Sequence, residues 1–154
     1  MTIPASRQLT FEQALSRAAS LCSTSEHCIA DISEKLTRWG MTPTQADDII
    51  SRLLKEKYID ESRYAEAYAR DKLRFSHWGR AKIRMMLRMQ HIPDTLIREA
   101  LDALDPQEYA DIAKQTIISK AHSLKSNDYA SRAKIIRFAL QRGFEMDEIE
   151  KVIG

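Results

Sequence analysis

The sequence predicts an all-α protein built from three tandem three-helix units of helix-turn-helix type. Composition, an internal repeat and a series of capping signals carry that prediction. Four Gly and four Pro in 154 residues leave few breaks, and the strong helix formers Ala, Leu, Arg, Lys, Glu and Gln dominate the middle and end of the chain. The repeat appears when residues 30–54, 81–104 and 133–154 are aligned. Ile32, Ile83 and Ile135 then correspond, as do Leu36, Leu87 and Ala139, Met41, Ile92 and Phe144, Ala46, Ile97 and Ile149, and Ile50, Leu101 and Ile153. Gly40, His91 and Gly143 fall together at the turn. A recurrence of this length marks repeated supersecondary units, whose small cores lean on their neighbours.

The elements follow in order. Thr10 with Gln13 reads as a capping box opening a helix over 11–22, and Ser23 with Glu26 as another opening 25–39. Gly40 ends the second helix as a left-handed C′ residue. Thr42, Pro43 and Gln45 supply an N-cap, an N1 proline and a capping partner for 43–57. Asp60 caps 61–75, with Ile59 and Tyr64 spaced as a hydrophobic staple. Helices over 79–90 and 93–104 flank His91. Asp105, Pro106 and Glu108 repeat the capping pattern for 106–120. Helices over 128–142 and 146–153 flank Gly143, and the polar run "HSLKSND" (122–128) is the loop before them. The expected organisation is a tail over 1–9, a first unit over 10–58, a second, basic unit over 59–105 and a third over 106–154.

The N-terminus lacks signal-peptide character, and no stretch approaches the roughly 18 apolar residues that span a bilayer, so a cytoplasmic protein is expected. Cys22 and Cys28 lack C-x-x-C spacing and read as packing residues rather than metal ligands. Nucleophile triads, phosphate-cradling Gly loops and H-E-x-x-H motifs are missing, which argues against an enzyme and against a cofactor. The pairs Asp47–Asp48 and Asp60–Glu61 read as helix-face charge and N-terminal capping.

Charge is the informative feature. The net is only +2, but residues 63–98 hold 9 basic and 3 acidic groups, whereas the segments on either side are each slightly acidic. Arg80, Arg84 and Arg88 recur every four residues and define one helix face, with Ile83 and Leu87 turned to the core. Arg70 and Arg74 have the same spacing on the preceding helix, and Lys72, Lys82 and Arg63 lie near. Trp78 stands at the helix entrance, either packing the turn or stacking on a partner. The combined candidate face is Arg70, Lys72, Arg74, Trp78, Arg80, Lys82, Arg84 and Arg88, predicted to meet an acidic protein surface or nucleic acid. Arg132, Lys134, Arg137 and Arg142 form a smaller second basic face. Tyr64, Tyr68, Phe75 and Phe138 read as core aromatics. The last helix of each unit is net acidic, which argues against its entering a DNA groove as a recognition helix.

"YIDESRYAEAYARDKLR" followed by "WGRAKIRMMLRMQHI" resembles the central signature of the RecX family, regulators of the RecA recombinase. "AKIIRFALQRGFEMDEI" is similar to that family's C-terminal element. The resemblance implies an elongated, curved helical protein, expected to be a monomer, that lies in the groove of the RecA–DNA filament and curtails filament growth, ATP hydrolysis and strand exchange in recombination and SOS repair. The alternative is a helical protein that binds single- or double-stranded DNA without sequence preference and acts independently of RecA.

Overall fold

The computed structural model describes residues 8–124 and 128–154. Among the described residues it is all-α, with nine helices: α1 (Phe11–Thr24), α2 (Ile29–Arg38), α3 (Pro43–Lys55), α4 (Glu61–Ser76), α5 (Arg80–Met89), α6 (Asp94–Asp102), α7 (Pro106–Ser123), α8 (Tyr129–Gln141) and α9 (Met146–Ile153). Two compact units emerge. One takes the described residues through Tyr64 together with Gln90–Ile92, and the other takes Ala65–Met89 and Pro93–Gly154. Residues 1–7 of the expected tail and residues 125–127 of the expected loop lie outside the described residues.

Local chemistry explains most boundaries. Thr10 and Thr42 each close a reciprocal capping box, with Gln13 and Gln45, and Pro43 occupies the first turn of α3. Both satisfy backbone donors that a helix start leaves unpaired. Asp60 accepts the Arg63 N–H at 3.0 Å, and its staple partners Ile59 and Tyr64 are buried. Asp105 accepts from the Glu108 N–H at 2.8 Å, but the Glu108 carboxylate turns instead to Arg74.

The second helix starts later than the sequence suggests. Ser23 belongs to α1, where its hydroxyl donates to the Ala19 carbonyl, and α2 begins at Ile29 with no side-chain cap from Cys28. The Glu61 carboxylate accepts the Ile29 N–H at 3.1 Å, so the cap comes from a residue 32 positions away. Glu26, the expected capping partner, is held by Arg63.

The repeat equivalences hold at the level of burial and backbone. Ile32, Ile83 and Ile135 are buried, as are Leu36, Leu87 and Ala139, then Met41, Ile92 and Phe144, and Ala46, Ile97 and Ile149. Ile153, at the chain end, is only half-buried. Gly40, His91 and Gly143 all have positive φ, at 90°, 61° and 95°. At the two glycines the helix closes with paired bonds, Met41 N–H to Leu36 O and Gly40 N–H to Thr37 O, repeated by Phe144 to Ala139 and Gly143 to Leu140. That is the Schellman arrangement, and a residue that tolerates the left-handed region permits it. Lys57 ends α3 in the same way, with φ 62°.

In the first unit Ala14 and Ala18 of α1 let that helix approach Ile32, Leu36, Ile49 and Leu53 closely. Each fully buried aliphatic there contributes roughly 1.5–3 kcal/mol. Cys22 and Cys28 are buried free thiols, and burial pushes Cys28 up to about 11. In the second unit Leu73, Ile83, Leu87, Ile97, Ile117, Phe144 and Ile149 are fully buried. Of the expected core aromatics Tyr64 is buried and Tyr68 and Phe138 are half-buried. Phe75 is 79% exposed, because the last turn of α4 carries it to the solvent side.

Two measurements check this packing. Gly143→Ala should lower the urea-unfolding free energy by about 3 kcal/mol, since its Cβ would lie 2.6 Å from the Lys82 backbone nitrogen in a left-handed conformation. Gly40→Ala should cost only about 1 kcal/mol, because there the Cβ meets the flexible Gln8 side chain. Both thiols should resist a thiol reagent at pH 8 and react rapidly once urea unfolds the chain, because the thiolate is the nucleophile and burial suppresses it. Fast labelling of the folded protein would contradict the buried assignment.

Candidate functional site

Apart from Arg63, the basic groups of α4 and α5 lie within the second unit, and the structure sorts them by what they touch. Gly79 governs their placement. Its N–H donates to the Arg142 carbonyl at 2.7 Å, and the Ala81 N–H donates to the Gly143 carbonyl at 3.1 Å. A Cβ on Gly79 would stand 2.4 Å from the Gly143 carbonyl, so only glycine allows this approach. The contact pins the start of α5 against the α8–α9 turn.

Arg80, at that start, is an anchor. Its guanidinium lies 3.8 Å from the centroid of the Tyr109 ring and 3.7 Å from Glu148, while its backbone N–H donates to the Tyr109 hydroxyl at 3.0 Å. Tyr109 meets Phe144 edge to face at 6.0 Å. Burial, with the Glu148 carboxylate adding to it, raises the Tyr109 phenol above its usual range, so it stays protonated. Arg74 is a second anchor: its Nε donates to both carboxylate oxygens of Glu108, at 3.1 and 3.2 Å. Arg142 is a third, donating to the Ser76 carbonyl at 2.8 Å.

The other groups are less committed. Arg88 pairs with Asp94 at 3.0 Å, but both side chains are more than half exposed, and such a pair contributes about 0–1 kcal/mol. Arg70 and Arg84 have no salt bridge among the described residues. Lys72 and Lys82 place their ammonium groups 4.8 and 4.5 Å from the Trp78 ring centroid. Trp78 stands half-buried between these two cations. On the second basic face Arg132 donates to the Gly154 carbonyl, whereas Lys134 and Arg137 are exposed.

The arginines of the candidate face line two grooves. Arg80, Arg84 and Arg88 line a groove of about 230 Å³ with Ile97, Arg98 and Asp102. Arg70 and Arg74 line another, shared with the carboxylates Glu66, Asp105 and Glu108. The first groove is the stronger anion site, with four arginines against Asp94 and Asp102. Arg98 was not anticipated, because α6 as a whole is net acidic; only its place in the same groove reveals it. Arg63, expected nearby, belongs to the first unit, where it holds Glu26 and the Lys57 carbonyl.

This arrangement of three-helix units has known relatives. Residues 60–101 match the family model of the second three-helix domain of RecX, and residues 107–153 that of the third. The chain belongs to the RecX family. It is 28% identical over 137 residues to the regulatory protein RecX of Vibrio parahaemolyticus, covering 89% of this chain and 87% of that one. It is 28% identical over 142 residues to RecX of Leuconostoc mesenteroides, covering 92% of this chain and 53% of that relative. The crystal structure of RecX from Lactobacillus salivarius superposes with a TM-score of 0.81 at 22% identity, covering 93% of this chain and 94% of that one. That likeness shows the shared RecX fold.

The division into anchors and uncommitted groups has a measurable consequence. Arg80→Ala should destabilise the chain by about 1–2 kcal/mol in urea unfolding, through loss of the Tyr109 ring contact and of the Glu148 ion pair. Arg84→Ala should stay within about 0.5 kcal/mol of the parent. Equal effects would show that Arg80 is no more committed than Arg84.

Proposed function

We propose that this protein is a negative modulator of RecA, a binding protein of the cytoplasm rather than a catalyst, that engages the RecA–DNA filament and limits its growth, ATPase and strand exchange. The observation that carries the reading is the family match over residues 60–101 and 107–153, the region that also holds the basic groups. In this reading the repeat units, bounded near residues 10–58, 59–105 and 106–154, act as a monomeric series of contacts along a helical polymer. Individually weak contacts in series gain through effective concentration. Arg70, Arg84 and Arg88, with Lys72, Lys82 and Trp78, face acidic RecA surface or the bound strand, while Arg74 and Arg80 keep the face in place. Lys134 and Arg137 supply a secondary contact. The cost of desolvating an arginine is least offset internally where no carboxylate holds it, so Arg70 and Arg84 gain most from an external anion.

The test is RecA's single-strand-DNA-dependent ATP hydrolysis, started from preformed filaments. Substoichiometric protein should depress it, and the double reversal Arg70→Glu with Arg84→Glu should weaken that inhibition about tenfold or more without changing helicity. Undiminished inhibition by the double variant would refute the assigned face. The competing reading, DNA binding without RecA, predicts no effect until the protein coats the strand. It also predicts a log–log salt slope of roughly −3 to −4 if about five arginines neutralise single-strand phosphates.

A further inference from the structure

A second concavity in the same unit is distinct from the arginine groove. It is a cleft of about 450 Å³ between α7, α8 and the α4–α5 turn, and its principal lining groups are His77, Thr116, Ser119, Lys120, Phe138 and Arg142. No Asp or Glu lines it among the described residues. Such a lining is unusual in a chain with nearly balanced charge. The Phe138 ring is half-buried and carries two cations, with Lys120 Nζ 5.2 Å and the Arg142 guanidinium 5.1 Å from its centroid. Arg142 is fixed by its bond to the Ser76 carbonyl, which leaves its remaining N–H groups as donors. Lys120 has no carboxylate partner among the described residues and sits on a flexible stem.

The hydroxyls add directional chemistry. Thr116 donates to the Ile112 carbonyl at 2.7 Å, so its oxygen faces a ligand as an acceptor only. The Ser119 hydroxyl is exposed and can donate or accept. His77, held at φ 55° in the α4–α5 turn, adds a ring nitrogen at the rim. The turn itself is locked by Gly79 and Gly143, so the rim is pre-positioned rather than assembled on binding.

From this we infer that the α7–α8 cleft binds one nucleotide unit, with the base on Phe138 and the phosphate between Arg142 and Lys120. A volume of this size suits a ligand of nucleotide dimensions. A planar base is a better partner for an aromatic face than an exposed ammonium, so the base displaces Lys120 from the ring and frees it for the phosphate. Inorganic phosphate alone lacks the surface that Phe138 recognises. The nucleotide can come from a single strand or be free in solution, and both present the same base and phosphate. The inference goes beyond RecA regulation and stands on the cleft alone.

Isothermal titration of the full chain, without RecA, tests it with dTMP, inorganic phosphate and a short dT oligonucleotide. The expected result is that dTMP binds at least about tenfold more tightly than phosphate, and that Phe138→Leu removes most of that difference. Lys120→Gln, a change at a partly exposed position, should weaken dTMP about tenfold with unchanged helicity, which keeps the test open if Phe138→Leu unfolds. Tighter binding of the oligonucleotide than of dTMP, lost in the same variants, assigns the site to a strand. Binding of dTMP alone assigns it to a free nucleotide. Equal binding of phosphate and dTMP, or dTMP binding indifferent to both substitutions, overturns the inference.

Discussion

The close approach of two turns, at Gly79 and Gly143, is the constraint on which the second unit depends. Two backbone hydrogen bonds cross it, and no side chain fits between the strands of main chain that make them. Because α5 starts there, the approach sets where Arg80 meets Tyr109 and Glu148, and the phase of α5 then sets where Arg84 and Arg88 emerge one and two turns later. The same approach places His77 and Arg142 at one cleft. Backbone bonds across a glycine contact are stiff in a way that long cationic side chains are not, so the fold fixes the base of each arginine, and only an internal partner, where there is one, fixes its head.

Much of the helical framework was legible in the sequence because its causes are local. Thr10, Thr42 and Asp60 cap within three residues of themselves, and Gly40 and Gly143 end helices through their own φ. The correspondence of His91 with those glycines even located a non-glycine left-handed residue. What failed was non-local. The start of α2 is set by Glu61, far along the chain, and Ser23 with Glu26 satisfied a local rule that a tertiary contact overrode. The role of Gly79 was invisible for the same reason, since its partner lies 64 residues away. Phe75 misled because an aromatic in a helical pattern suggests burial, while the phase of the final turn of α4 places it outside.

The candidate face shows the same division more sharply. A spacing of four predicts that Arg80, Arg84 and Arg88 share a side of α5, and they do line one groove. Spacing says nothing of the opposing helix. Glu108, read in the sequence as a capping partner, and Glu148, counted there only as part of an acidic helix, reach across to Arg74 and Arg80. Arg98 was discounted by the same averaging, since net charge per helix conceals which face carries which sign.

If the basic face meets an anionic partner as proposed, it needs both sorts of arginine. Anchors alone would present charges already neutralised, and an external anion would have to break a supporting contact to reach them. Unsupported cations alone would repel one another along α5 and would lose much side-chain entropy on being ordered by a partner. Arg80 and Arg74, held by internal carboxylates, spend their charge on shape. Arg84 and Arg70 keep theirs for solvent or a partner. Arg88 lies between, because its exposed pair with Asp94 is weak enough to be exchanged for an outside carboxylate or phosphate at little net cost. The groove thus can change the partner of one arginine without disturbing the contacts that hold another, and binding there leaves the glycine approach at its base intact.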